Sequence, residues 1–502
     1  MRCDLLNDAL IRTGGGAETL PGLFAAMSRG EVTSFPALRP HQRPAWHMFL
    51  VQLATLALSK SALADLPEDP EVWRTALLGL TPDFPEGEPW HLILSDRTKP
   101  GFLQPPDPGG LRWTPVNTPD ALDMLITSRN HDLKRDIARH AMPDDWIFAL
   151  VSLQTMEGFG GAGNYGIARM NGGSSSRTMI GLVPARPGSV EVDPSAWWRR
   201  DVSHLLEERV NDARKALLWT APWPDGQSFS LGDLDPLFIE VCRRIRLVDV
   251  DGRIAAERST SKAARIDGRA AKGNTGDPWA PIHVEGKSFT LGDQDFTYEV
   301  LVRLLFKTNP EWHKPPMAQP SSEEERQPML LIAEAFSRGN SKTDGFRSRV
   351  VPVPKAVMPR LFRERVCDVA DGVVKDIADA GLALRDALAR VANEGRPERP
   401  KQEHYGRVAP AREAFRRDAD LFFFQELWTR ATAKHDDDVS PMRFAFLSQL
   451  ASIAWQEFEA ALPAIPCASL LRPRAEVRGR TELARRLAYL IKDFKQAEEA
   501  HV

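Results

Sequence analysis

The stretch KAVMPRLFRERVCDVADGVVKDIADAGLALRDALARVANEG, residues 355–395, decides the fold of the last third of the chain. Its apolar residues recur at helical spacing, with charged residues between them. Three further segments of the same texture follow, at about 410–434, 442–463 and 472–498, and proline-rich or polar linkers separate them. Amphipathic helices with short connections predict an antiparallel four-helix bundle over residues 353–502.

The residues before this region predict a large mixed domain, 1–352. One helix begins near Pro40, where large apolar residues share a face: Trp46, Phe49, Leu50, Leu53 and Leu56. Clusters of Gly, Pro, Asp and Ser separate runs that favour β-strands, namely Trp146–Leu153, Thr178–Val183, Leu237–Val250 and Phe296–Phe306. Inside the last two runs, Val241–Arg246 and Glu299–Phe306 fit a helix equally well. We predict an α+β chain, with a mixed α/β N-terminal domain, 1–352, and an all-α four-helix bundle, 353–502.

Composition and charge restrict the function classes. The chain has 502 residues, of which 42% are hydrophobic and 26% charged, so we expect a globular protein of two to four domains. Its net charge of −3 excludes a polycation, and any nucleic-acid role must come from local basic patches. The 4 cysteines lie far apart without a CxxC pair, so neither a cysteine zinc knuckle nor a disulfide framework is indicated.

The N-terminal sequence and the longest apolar run argue against export and membrane insertion. MRCDLLNDALIR contains no apolar signal core. The run from Trp46 to Leu58 is too short to span a bilayer, and His47 and Gln52 interrupt it. We expect a cytoplasmic, soluble protein without a membrane partner.

The densest glycine stretch is GFGGAGNYGIARMNGGSSSR, residues 158–177. Gly158, Gly160 and Gly163 match GxGxxG, but the residues after them cannot open a good helix, which argues against dinucleotide binding. Two interpretations stay open. The glycines form tight turns that pack two elements, or they let backbone N–H groups approach a nucleic-acid groove or phosphates. In the second case, polar side chains of the same stretch complement them: Asn164, Arg169, Asn171 and Arg177.

A basic segment follows at residues 338–365, with eight basic side chains against Asp344 and Glu364. Glycines interleave its first part, RGNSKTDGFRSR, which indicates an exposed loop. A second basic stripe lies at the start of the last helix: Arg472, Arg474, Arg478, Arg480, Arg485 and Arg486. Duplex DNA binding draws on such patches through counterion release, so a nucleic-acid role competes with a merely solvated charged face.

Catalytic patterns are poor. The sequence contains neither HExxH nor a GxSxG elbow. His131 and Asp132 suggest a metal-dependent phosphohydrolase or nuclease, but the other His-Asp pair, at His435, falls in a different domain. Asp436 and the two aspartates after it are expected in an inter-helix loop. A metal-dependent nuclease and a helical protein-binding adaptor therefore stay as alternatives.

Several islands in one order resemble the large subunit of the type I-E CRISPR Cascade surveillance complex, the CasA family. They are GFLQ (101–104), SLQTMEGFGGAGNYGIARMNGGSSSR (152–177), GDPWAPI (276–282) and RGNSKTDGFRSRVVPVP (338–354), followed by the helical C-terminal domain. The resemblance implies a non-catalytic subunit of an RNA-guided complex. Such a subunit recognises the protospacer-adjacent motif in duplex DNA from the minor groove and starts strand opening. It then helps to hold the displaced strand and recruits the helicase–nuclease, while base pairing reads the remaining target.

The resemblance also implies roles for individual residues. The family's glycine loop corresponds to Gly158, Gly160, Gly161, Gly163 and Asn164, with Gly160 and Gly161 facing the minor groove. Its wedge corresponds to the hairpin tip Asn340, Ser341 and Lys342, where some relatives carry glutamine, and its minor-groove lysine to Lys272. The resemblance further implies contacts to the DNA backbone or the displaced strand by Arg338, Arg347, Arg349, Arg169 and Arg177.

The expected partners are double-stranded target DNA, the guide RNA, the other Cascade subunits and the helicase–nuclease. Lys134 and Arg135 lie in a loop that the resemblance places near the guide RNA and neighbouring subunits. Some family members hold a structural zinc with paired cysteines, but the corresponding stretch here, Val248–Ala255, has none. We therefore expect no metal, no cofactor and no enzymatic activity.

Overall fold

The computed structural model describes residues 3–123, 141–186, 188–209, 212–339, 342–433 and 436–499. They form two compact units. The first comprises Met1–Phe296 and Glu311–Pro352, and the second comprises Thr297–Pro310 and Val353–Val502. The first unit mixes helices with strands and the second is helical, which confirms the predicted α+β class.

The helices of the first unit each carry a proline in the first turn, where the missing N–H costs nothing. They are α1 (Leu20–Arg29), α2 (Arg43–Lys60), α3 (Pro70–Gly79), α4 (Pro143–Met156) and α5 (Pro194–Glu208). The predicted helix near Pro40 is α2. It is buried from Pro44 to Leu58 and packs against α3, α4 and α5, so it forms the centre of the unit. Within the described residues, no helix combines the length and the apolar character needed to cross a bilayer.

The predicted strand at Trp146–Leu153 is wrong, because these residues form α4. Pro143 opens this helix, and Asp144 and Asp145 supply the acidic first turn that favours a helix N-terminus. Nearly all its side chains are buried, so no polar face marks the helical period and the run reads like a buried strand.

The strands of the structure are short apart from one long hairpin. They are β1 (Ile11–Thr13), β2 (Gly16–Glu18), β3 (Thr114–Val116), β4 (Met179–Pro184), β5 (Lys215–Leu217), β6 (Phe229–Ser230), β7 (Leu234–Ile239), β8 (Arg244–Val250), β9 (Arg253–Ser259), β10 (Ile266–Asp267), β11 (Ile282–His283), β12 (Trp312–His313), β13 (Met329–Gly339) and β14 (Lys342–Val353). The predicted strand at Thr178–Val183 is β4. The run Leu237–Val250 is divided between β7 and β8.

Two three-stranded sheets organise the part of the first unit that matters for function. One has the order β14-β13-β4, and the other β3-β9-β8. β13 pairs antiparallel with β4, so that Met329 lies opposite Pro184 and Glu334 opposite Met179. The remaining pairs are β1-β2, β5-β7, β6-β10 and β11-β12.

The second unit is a bundle of long helices, as predicted. Its helices are α6 (Tyr298–Leu305), α7 (Glu364–Ala392), α8 (Gln402–Arg407), α9 (Ala409–Thr432), α10 (Asp436–Ala461) and α11 (Arg472–Glu499). Four of these helices are long, and the first of them, α7, contacts the other three, α9, α10 and α11. α6 joins the bundle from far upstream, because Tyr298 stacks on Phe423 with ring centroids 4.7 Å apart and Glu299 pairs with Arg416. The sequence did not predict this membership.

Candidate nucleic-acid interface

The segment 157–177, here called the glycine loop, connects α4 to β4 and folds back on itself. The N–H of Gly158 donates to Ser175 O at 3.0 Å, and the N–H of Phe159 donates to Gly173 O at 2.8 Å. A tight turn forms its tip, because the N–H of Gly160 donates to Asn164 O at 2.9 Å. No helix follows the GxGxxG match, which agrees with the rejection of a dinucleotide site.

Two positions of this loop require glycine, each for a different physical reason. A Cβ on Gly158 would lie 2.4 Å from Ser175 O and 2.7 Å from Gly173 O, so this glycine allows the two arms to touch. Gly161 has φ +112°, a conformation that L side chains rarely adopt, and nothing lies within 4 Å of its Cβ position. The structure therefore shows tight packing at Gly158 and open space only at Gly161, since a Cβ on Gly160 would lie 3.3 Å from Arg243 Nη2.

Bonds from neighbouring elements hold the loop in place. Arg243 Nη2 donates to Gly158 O at 2.7 Å, and the N–H of Ser261 donates to Gly163 O at 3.1 Å. The N–H of Ala168 donates to Glu240 Oε1 at 2.7 Å. Burial raises the pKa of Glu240 to about 7, although this hydrogen bond acts in the opposite direction. The loop is thus fixed before any ligand arrives.

The glycine loop is also fastened to the long hairpin. Ser175 Oγ donates to Phe336 O and the N–H of Phe336 donates to Ser176 Oγ, both at 2.7 Å. Phe336 lies in β13, which ends three residues later at Gly339, about 10 Å further along an extended strand. The structure therefore brings the glycine loop close to the strand that leads to the predicted wedge.

The wedge residues themselves are only partly described. Asn340 and Ser341 lie outside the described residues, as do Lys134 and Arg135. The backbones of Arg338 and Lys342 belong to β13 and β14.

Lys272, the candidate minor-groove lysine, lies beside the glycine loop. It is exposed, has φ +48°, and lines a groove of about 790 Å³ together with the loop residues Gly158, Phe159 and Tyr165. The two segments touch, because a Cβ on Gly273 would lie 2.5 Å from the backbone carbon of Met170. Sequence reasoning missed Arg269, an exposed cation in the same groove. The sequence RAAK, residues 269–272, places Arg269 three positions before Lys272, and this proximity could have indicated a second cation at the site.

A second groove, of about 620 Å³, lies against the tip of the glycine loop. Gly160 and Asn164 line it, and so do Arg112 and Arg258. These two arginines are exposed, and within the described ranges neither has a carboxylate within 4 Å. They line the same groove because β3, which begins two residues after Arg112, pairs with β9, where Thr114 lies opposite Arg258. Sequence reasoning missed them, since isolated arginines 146 positions apart give no local signal.

The prediction that Arg169 and Arg177 contact DNA is wrong, because both are buried. Arg177 holds Asp277 with two bonds, Nε to Oδ2 at 2.5 Å and Nη2 to Oδ1 at 2.7 Å. Burial is the largest single effect and acts to raise the pKa of Asp277. The charge and hydrogen bonds of Arg177, together with the charge of Arg169 and the N–H of Trp279, outweigh it, so the pKa is lowered. Arg169 donates to Pro236 O and Phe238 O, and burial lowers its pKa to about 10. Both cations are structural supports beneath the loop.

Other predicted cations also have protein partners. Arg347 forms an ion pair with Asp295, and Arg349 is half-buried with a partner of its own. The basic stripe at the start of α11 also has partners within its own unit, while Arg474, Arg478 and Arg485 remain exposed. Its members contact carboxylates or carbonyls of the same unit: Arg472, Arg474, Arg478, Arg480, Arg485 and Arg486.

The residues behind the nuclease alternative offer no built metal site among the residues that the structure describes. No group of three or more His, Cys, Asp or Glu side chains there could hold a metal ion. His131 lies outside the described residues, and Asp436 starts α10 rather than lying in a loop. The stretch Val248–Ala255 forms the turn and the flanking ends of the β8-β9 hairpin.

Comparisons with known proteins identify the fold. No protein-family model matches the chain, and no curated protein sequence matches it. The CRISPR-associated protein Cse1 from Acidimicrobium ferrooxidans is similar over 98% of this chain and 99% of its own, with 17% identity and a TM-score of 0.65. Thermus thermophilus CasA (Cse1) is similar over 97% of this chain and 99% of its own, with 15% identity and a TM-score of 0.66.

A chain of a CRISPR RNA-guided surveillance complex in a pre-nicking state is also similar. The match covers 96% of this chain and 98% of that chain, with 13% identity and a TM-score of 0.50. The chain therefore has the fold of Cse1 (CasA) proteins over nearly its whole length.

Proposed function

We propose that this chain is the large subunit of a type I-E CRISPR Cascade complex and reads the protospacer-adjacent motif in duplex DNA. One observation carries the proposal. In a chain with the Cse1 fold, the glycine loop, Lys272 and the β13-β14 hairpin lie together on one unit. In this role the chain is a non-catalytic DNA-binding subunit. Its partners are target DNA, the guide RNA, other Cascade subunits and the helicase–nuclease that it recruits.

The loop tip suits reading from the minor groove. Gly160 is exposed and Gly161 has open space at its Cβ position, so backbone groups can come close to base edges. The minor groove distinguishes little more than A·T from G·C pairs. A reader made of backbone groups and the single cation Lys272 is therefore expected to tolerate several related motifs.

Strand opening is assigned to the hairpin tip Asn340–Lys342. Separating a base step costs a few kcal/mol, so a wedge needs fixed neighbours and cations nearby. The hydrogen bonds between Phe336 and the two serines, Ser175 and Ser176, hold the strand that leads to this tip against the glycine loop. For the displaced strand, the exposed Arg112 and Arg258 replace the buried Arg169 and Arg177 as candidate phosphate contacts. Contacts to the DNA backbone near the hairpin are proposed for Arg338, Arg347 and Arg349. A contact to the guide RNA or a neighbouring subunit is proposed for Lys134 and Arg135.

Two alternatives make different demands. A metal-dependent nuclease requires this chain alone, with a divalent metal, to cleave duplex DNA. A helical protein-binding adaptor requires the chain to be dispensable for DNA binding.

Replacing Lys272 with alanine should weaken binding of the reconstituted complex to matched duplexes. Removing one phosphate or groove contact should also lower the slope of log affinity against log salt by about 1. Affinity titrations at several salt concentrations measure both effects. Lys60→Ala is the matched control, because Lys60 is an exposed lysine at the end of α2 that lines a different groove. Equal salt slopes for the two variants would remove Lys272 from the proposed site.

A further inference from the structure

Phe159 is a large aromatic side chain held on the surface of the glycine loop. It is 44% exposed, whereas Phe148 and Phe238 of the same unit are 1% and 2% exposed. Single exposed apolar residues are common, so this exposure alone assigns no role to the ring. Its backbone is fixed on both sides, by the bond from its N–H to Gly173 O and by the bond from Arg243 to Gly158 O.

A second ring stands next to it. The centroids of Phe159 and Tyr165 are 6.4 Å apart and their planes are inclined by 53°. The hydroxyl of Tyr165 donates to Lys262 O at 3.1 Å, which fixes this ring as well. Ile167, Met170 and Ile266 add apolar surface to the same groove. The result is a preformed aromatic and apolar wall.

The lining of the same groove also includes two cationic side chains and one carboxylate, Asp267. Arg269 and Lys272 are exposed there, and in the described part of the chain neither has a carboxylate within 4 Å. Asn171 adds an exposed amide. The groove volume of about 790 Å³ lies within the range of small-ligand sites. An occupant that uses both parts of this lining offers a flat apolar face and a negative charge.

An unpaired nucleotide meets both requirements. Every base has a π-face that stacks on aromatic side chains, and its phosphate is attracted by the neighbouring cations. A paired base does not meet them, because its neighbours in the duplex cover both faces. We propose that Phe159 and Tyr165 form a stacking site for one unpaired DNA base, whose phosphate contacts Arg269. That the unpaired base comes from opened target DNA rests on the proposed function; the stacking site itself does not.

The test is binding of a fluorescently labelled 12-nucleotide oligothymidine to the purified full chain at low salt. Phe159→Ala should weaken binding by about 5- to 150-fold, the range found when a stacking aromatic is replaced by alanine. Phe159→Trp should retain binding. Phe159→Leu should lose most of it, because leucine keeps apolar volume without a π-face. Val284→Ala is the control at another exposed apolar residue, 58% exposed, and should bind as the unaltered chain does.

Three results would overturn the stacking site. They are equal affinity of the Phe159→Ala variant and the unaltered chain, full binding by the Phe159→Leu variant, and no detectable binding by the unaltered chain. A different measurement, the flank preference of the reconstituted complex, tests the proposed function. In the reconstituted complex, Phe159→Ala should leave the ratio of affinities for favoured and disfavoured flanking sequences unchanged, since that ratio depends on the loop backbone. A flank preference that does not depend on the chain at all would reject motif reading, whatever the oligothymidine result.

Discussion

Arg177→Met should lower the free energy of unfolding of the chain by about 3–5 kcal/mol, the cost of breaking a buried ion pair by removing one partner. The Arg177 guanidinium and the Asp277 carboxylate are both buried and joined by two hydrogen bonds. Methionine fills similar space but leaves the carboxylate charged and unpaired. The guanidinium also lies 5.3 Å from the centroid of the Trp279 ring, and this contact is lost too.

Urea unfolding of the purified variant measures this effect. Arg253→Met is the matched control, because Arg253 is an exposed arginine beside the turn between β8 and β9, and its replacement should change stability by less than about 0.5 kcal/mol. A stable Arg177→Met variant with weakened DNA binding would contradict the structural role and restore Arg177 as a DNA contact.

Gly158→Ala should abolish most of the flank preference of the reconstituted complex. The new Cβ would stand 2.4 Å from Ser175 O and 2.7 Å from Gly173 O, so the two arms of the glycine loop must separate. We expect a loss of about 1–3 kcal/mol in stability from this overpacking. Flank discrimination, about 5- to 150-fold if a base pair contributes 1–3 kcal/mol, should fall toward 1 because the loop tip moves away from the duplex.

Competition binding with favoured and disfavoured duplexes measures the ratio. Gly79→Ala is the control for adding a methyl group, since nothing lies within 4 Å of its Cβ position at the end of α3. A Gly158→Ala variant that keeps the full ratio would show that the loop's closed shape is not needed for reading the motif.

The sequence predicted those parts of the fold that local periodicity encodes. The four long helices of the bundle have apolar residues at helical spacing, so their existence was readable from the sequence. Helices α2 and α4 are both buried nearly all round. The apolar run of α2 is longer than an ordinary strand and indicated a helix, whereas the run Trp146–Leu153 in α4 has the length of a strand. The membership of α6 in the bundle depends on contacts such as Tyr298 with Phe423, across more than a hundred residues, and no local signal encodes them.

The candidate site shows the same limit. Glycine composition singled out the loop and the resemblance singled out Lys272, but only the structure shows that both line one groove. The sequence does not show whether an arginine is buried. Arg169 and Arg177 were therefore predicted as surface cations, but both are buried and bonded to protein partners. Arg112 and Arg258 were missed for the opposite reason, since only the pairing of β3 with β9 brings them together.

The most direct test of the account is binding of the RNA-guided complex, assembled with and without this chain, to matched duplexes with randomised flanking bases. The account predicts a flank preference that appears only with the chain and collapses when Asn340, Ser341 and Lys342 are replaced by alanine. A preference that is the same without the chain would contradict motif reading, and the chain would then be better explained as a helical adaptor.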